Sequence, residues 1–207
     1  MNATPTMTPS DDLTEMAQFA ARLVVDEGLD YASARRQARK ALGDGAGRTR
    51  EALTTEMIED EVRAHIALFC ADTQPGELRA LRTVARRWMH RLAEFRPHLG
   101  GAVWRGTATR QSAIRIDLFC DDPKAPEIAL LNQHVAFETA SKAIGGGEHL
   151  LVHSITEREG LLQDWVTVHL SVLDLDELRG ALRPDARGRT WRGDLAALDR
   201  LMRESAP

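Results

Sequence analysis

The sequence predicts an α+β fold: a mixed sheet of four to six strands flanked by helices, with a helical appendage in front. Three observations predict it. Leu99 to Asp122 reads strand, Gly/Thr-rich turn, strand, and its second half alternates strictly, with Ile114, Ile116 and Leu118 against Arg115, Asp117 and Phe119. Val166, Val168, Leu170 and Val172 alternate in the same way with Thr167, His169 and Ser171. Between Pro75 and Leu92 the apolar residues Leu78, Leu81, Ala85, Trp88, Met89 and Leu92 instead recur at helical spacing, a stripe broad enough to cover a sheet.

Residues 1–10, rich in Thr, Pro and Asn, show no periodicity and are expected to be a disordered tail. A helical hairpin is expected over 11–43. Leu13, Met16, Ala20, Leu23 and Val24 give its first helix, which Gly28 ends, and Asp30 caps a second helix that runs to Leu42. That second helix sets Arg35, Arg36, Arg39 and Lys40 against a narrow stripe of Tyr31, Ala34, Ala38 and Ala41. The basic face suits solvent, or else an acidic partner, and the alanine stripe permits close packing, including a homodimer. GDGAGRTR, 43–50, has the composition of a connector, with the linker at 44–50 and the main domain at 51–207.

Beyond the linker, Ile58, Val62, Ile66 and Phe69 mark one helix, and Pro75 opens the next, which Pro97 closes. Ala102 to Trp104 is the first strand expected, and Arg105 to Ser112 the turn. Pro123 introduces a helix over Ala125 to Gln133. Weaker strands follow at Val135 to Thr139 and Leu150 to Ile155, with Gly145, Gly146 and Gly147 as the tip between them. Asp176 to Met202 reads as two helices capped by Asp176 and Asp194, joined by a loop that sets Arg183, Arg187, Arg189 and Arg192 around Trp191.

The turn after the first strand has the chemistry of an anion cradle. Gly100, Gly101 and Gly106 let backbone N–H groups approach a phosphate, Thr107 and Ser112 add hydroxyls, and Arg105 adds a charge. Over about two dozen residues this stretch resembles the nucleotidyltransferase superfamily of DNA polymerase beta-like and kanamycin nucleotidyltransferase-like proteins. Gly101, Arg105-Gly106-Thr107-Ala108 and Ser112 fall in the places of the motif G-S-x-x-R-G-T-A-x-x-x-S-D-x-D. The resemblance implies a nucleotide ligand, magnesium held by the motif's two aspartates, and a third carboxylate on a strand paired with the one that carries them.

The chain departs from the motif where the metal binds. Ala102 stands for the serine, and the two aspartates fall on Ala113 and Arg115. Asp117 follows two residues later, but same-face neighbours on a strand are about 6.5 to 7 Å apart, too far to serve the same ion in the same place. On the strand 166–172 the polar positions are Thr167, His169 and Ser171, with no acid among them. The expected molecule is therefore a catalytically inactive nucleotide- or phosphate-binding protein, with Gly101, Arg105, Gly106, Thr107, Ser112 and Arg115 as its site. One alternative is an active enzyme that uses Asp117 as a displaced ligand for Mg2+, with Asp164, Asp174 or His169 assisting, His169 as base. A second is an interaction module with no nucleotide.

Composition narrows these readings further. With 207 residues, 43% of them apolar, there is material for one substantial core and an appendage, and a net charge of −4 argues against a nucleic-acid binder acting through bulk positive charge. Cys70 and Cys120 read as separate buried thiols, which suits a reducing cytoplasm, and neither a leader nor a membrane-length apolar run is apparent. His149 and His153, four apart on an expected strand, would lie about 13 Å from each other and are no metal pair.

Overall fold

The computed structural model describes residues 9–42, 52–145, 148–185 and 187–204, without the side chains of 9–11, 142–145, 148–149 and 180–181. Residues 1–8 of the tail expected at 1–10, the connector expected at 43–50 and the glycines 146–147 lie outside the described residues, whereas residues 9 and 10 of the expected tail already belong to a helix. Two compact units are present, Met1–Gln74 and Pro75–Pro207.

The first unit is built on helices α1 (Pro9–Asp26), α2 (Tyr31–Leu42) and α3 (Thr55–Phe69). Gly28 adopts a left-handed φ of 68° after α1, and Asp30 caps α2 by accepting the Ser33 N–H at 2.9 Å. The stripe Ile58, Val62 and Ile66 buries itself against Ala17, Ala20 and Val24 of α1, so α3 completes this unit and does not join the sheet. Ala34 and Ala38 are fully buried here, while Arg36 and Lys40 on the opposite face of α2 are exposed.

The second unit begins along α4 (Gln74–Arg91) and carries a six-stranded mixed sheet, which establishes the α+β class. Its strands are β1 (His98–Gly100), β2 (Ile114–Phe119), β3 (Glu138–Gly145), β4 (Glu148–Glu159), β5 (Asp164–Leu173) and β6 (Arg192–Asp194). They lie in the order β3-β4-β5-β2-β1-β6, with β2 and β5 parallel and every other pair antiparallel. The helices α5 (Gly101–Arg105), α6 (Ala125–Asn132), α7 (Leu178–Ala181) and α8 (Leu195–Glu204) complete the unit.

The alternation in β2 and β5 decides which face is buried. Ile114, Ile116 and Leu118 join Val166, Val168 and Leu170 in one core with Leu81, Ala85, Trp88 and Met89 of α4 and Leu198 of α8. The stripe read from Pro75 onward is the helix that covers this face. Among the buried polar groups is His153 of β4, fully enclosed, its Nδ1 2.9 Å from the Thr139 hydroxyl and its ring edge-on to Phe137. Burial holds its pKa below the ordinary histidine value, against the opposing pull of Glu127.

The sign of its contribution follows from linkage. Because the unfolded chain takes up this proton first, stability is lost as pH falls below about 6.5. His153→Phe is expected to flatten the slope of thermal midpoint against pH between about 7 and 5 relative to the parent protein. An identical slope in the two proteins would refute that role.

Three elements differ from the sequence reading. The triplet Ala102 to Trp104 is one turn of helix, not a strand, because Gly101 (φ 66°) leaves the strand in a left-handed conformation and Gly106 (φ 78°) closes the turn as its C-cap. The strand before it is the shorter segment His98–Gly100. In the tail of the chain, Asp174 replaces Asp176 as the cap: its Oδ1 accepts the Asp176 N–H at 2.8 Å, and Glu177 reaches back to the Asp174 N–H. The arginine-rich loop, finally, contributes β6, while Asp194 caps α8 as expected by accepting the Ala197 N–H at 2.8 Å.

A polar sheet face as the candidate functional site

The same period that buries one face of the sheet gathers polar side chains on the other. Residues paired across neighbouring strands share a face, so the register His98↔Asp117↔Ser171 forms one row and Gly100↔Arg115↔His169↔Ser154 the next. β6 extends both, with Asp194 opposite His98 and Arg192 opposite Gly100. Arg115, Asp117, His169, Ser171, Ser154 and Arg192 are all half-buried, a different state from the fully enclosed apolar positions between them.

Gly101 lies directly against this face. A Cβ there would stand 3.3 Å from the Arg115 Cδ, so the absent side chain leaves the space the arginine stem crosses. Asp117 is held from several sides. Its Oδ2 accepts from the Arg192 guanidinium at 2.8 Å and its carboxylate accepts a hydrogen bond from Ser171. Burial pushes the Asp117 carboxyl above the ordinary aspartate range, against the pull of Arg192, His98, Ser171 and Arg115. His98 is fixed by its own contacts, its Nδ1 2.9 Å from the Arg96 carbonyl and its ring edge-on to Phe119. His169 pairs through Nδ1 with the Ser154 hydroxyl at 2.9 Å.

The structure brings Gly101 and Arg115 together and separates them from the rest of the expected cradle. Arg105 points away from the face: its guanidinium is buried with Asp185 at 3.1 Å, donates to the Thr190 carbonyl and stacks over Trp191 at 4.3 Å. Gly106, Thr107 and Ser112 belong to a connection folded back on α4. There Arg82 donates to the Val103 carbonyl, Glu77 accepts the Arg110 N–H, Thr107 is buried, and the buried Ser112 hydroxyl accepts the Thr109 N–H. Those four residues are structural in this fold. A turn with a helix inside it carries its polar end to the other side of the strand pair, and residue types alone do not show that.

No model of a known protein family and no curated protein matches this chain. Its chemistry therefore rests on the face itself. Two guanidinium groups, two imidazoles and two hydroxyls share this face with the carboxylates of Asp117 and, at its edge, Asp194. Among the described residues no group of three or more His, Cys, Asp or Glu side chains is placed to hold a metal ion. Nor is any described helix long and apolar enough to cross a membrane.

His98, Ser154 and Arg192 are the members of this face that sequence reading did not assign to it. β1 is three residues long and β6 hides in an arginine-rich loop, so neither is long enough to show an alternation. Arg115, Asp117, His169 and Ser171 lie on the two strands whose alternation is legible.

Proposed function

We propose that this chain is a nucleotidyltransferase-like protein that binds a phosphate group through guanidinium and not through metal, and that it transfers no nucleotide. The observation that carries this reading is the placement of Arg115. It crosses Gly101 on the polar face, directly opposite His169 in the register, where the motif resemblance leads one to expect a carboxylate. A fixed cation there meets a phosphate directly and repels a divalent ion. Asp117, tied to Arg192 and Ser171, is a poor metal ligand in that arrangement, since a cation must first displace an arginine from it.

Calorimetry with ATP, with and without Mg2+, tests the reading. The expected result is micromolar to millimolar binding whose affinity does not rise when Mg2+ is added. Mg2+-dependent transfer of radiolabel from a nucleoside triphosphate, abolished by Asp117→Ala, would establish the enzyme instead. Absence of binding by ATP and by inorganic phosphate at millimolar concentration would leave the polar face without an anion role.

A further inference from the structure

The two edges of the sheet are unlike. β6 is three residues long and Trp104 lies against it, so closely that a Cβ on Gly193 would stand 2.1 Å from the indole Cη2. β3 is eight residues long, contains no proline, and is the last strand of the sheet, with β4 on one side and, among the described residues, no strand on the other. We propose that β3 is the surface through which two copies of this chain associate, the strands pairing antiparallel about Ala140 so that the two sheets run on as one.

Both faces of this strand are open. The register sets Glu138 and Ala140 in line with Ser154 and Val152 on the polar face, and Thr139 and Ser141 in line with His153 and Leu151 on the face that α4 and α6 cover elsewhere. All four residues are exposed, so no described helix shields them. An edge strand left this way presents a row of backbone N–H and C=O groups with which a further strand can pair.

The sequence of the strand makes a second copy the partner. A two-fold axis normal to the sheet pairs residues of the same face. Centred on Ala140, it sets position 138 of each copy opposite position 142 of the other, glutamate opposite lysine, with Thr139 opposite Ser141 and alanine on the axis. Neighbouring centres lose this complementarity. On Thr139 or Ser141 both charges fall opposite uncharged residues, and on Glu138 or Lys142 like charges meet at the axis. Charges that discourage unspecific edge pairing thus fit one register of the chain against itself. A contact of this length lies at the small end of protein interfaces, which makes the dimer weak and reversible. Because the axis is normal to the sheet, the two polar faces open on the same side of the dimer.

The test is sedimentation equilibrium of the full chain over a concentration series. The expected result is a monomer–dimer equilibrium with a dissociation constant of about 10 to 100 μM. Glu138→Lys and Lys142→Glu each set like charges opposite one another twice across the axis, so each alone should weaken the dimer by about tenfold or more without moving the thermal midpoint of dilute protein. Mixed in equal amounts, the two variants should recover the parent's affinity as a heterodimer, because every pair across the axis is again of opposite charge. The mixture carries the decision, since neither a misfolded variant nor contact through another surface restores association in this way. A parent protein that stays monomeric at about 1 mM, a dimer indifferent to both single substitutions, or a mixture that associates no more tightly than either variant alone would each overturn the proposal.

Discussion

Replacing Arg105 by leucine is expected to lower the thermal midpoint of the sheet-bearing unit by roughly 10 °C or more, the scale set by breaking a buried ion pair in a domain of this size. The Arg105 and Asp185 side chains are 2% and 1% exposed, so neither has water to fall back on. Burial alone would push the Asp185 carboxyl up. The Arg189 N–H, the Arg105 guanidinium and the Arg187 N–H together hold it below the ordinary aspartate range. Leucine fills much of the volume but leaves that carboxylate short of its buried charge partner. The Trp191 ring loses the cation stacked on it, and the Thr190 carbonyl loses one of its two donors, Trp104 Nε1 being the other.

The loss should spread from there to β6, because this pair pins the arginine-rich loop whose end pairs with β1. Hydrogen exchange at Arg192, Gly193 and Asp194 should therefore accelerate more than exchange at Ile116 or Leu170. Arg105→Lys is expected to recover only part of the stability, since an ammonium keeps the charge but cannot bridge Asp185 and Thr190 as a planar fork does. An unchanged midpoint and unchanged β6 exchange in Arg105→Leu would show that the pair is not what holds the loop.

That arginine also shows where sequence reading reaches its limit. The α+β class, the hairpin of α1 and α2, the covering helix α4 and the strands β2 and β5 follow from periodicities that burial enforces, and the structure has them. Arg105 and Ser112 carry phosphate-binding chemistry in their residue types, and yet both are spent inside the fold. Their direction depends on a single helical turn between Gly101 and Gly106, whose apolar Ala-Val-Trp core looks the same as a short strand. The side of the sheet that Arg115 faces is legible because it lies on a strand whose alternation fixes that face. The contribution of β6 came from a loop whose pairing with β1 is a long-range event, and no local pattern in three residues records it.

Opposite charge changes at two adjacent same-face positions should move phosphate affinity in opposite directions. Arg115→Glu is expected to abolish binding of inorganic phosphate and ATP in calorimetry, since it replaces the cation that crosses Gly101 with a charge that repels them. Asp117→Asn should instead tighten binding about fivefold to tenfold, because removing one negative charge several ångströms from the ligand, on a half-buried face, is worth roughly 1 kcal/mol. The amide retains a hydrogen-bonding oxygen for Ser171 and releases Arg192 toward the ligand. The direction of this second change is the decisive one. A carboxylate that holds a catalytic metal cannot be made neutral without loss, whereas a carboxylate that merely competes with a phosphate for arginine can. Sulfate does not titrate in this range, so a rise in its affinity on lowering the pH that is seen in the parent protein and missing from Asp117→Asn belongs to Asp117, whose raised pKa brings its protonation closer to neutral pH. Weaker anion binding in Asp117→Asn would place Asp117 among the binding groups and overturn its role as the competitor.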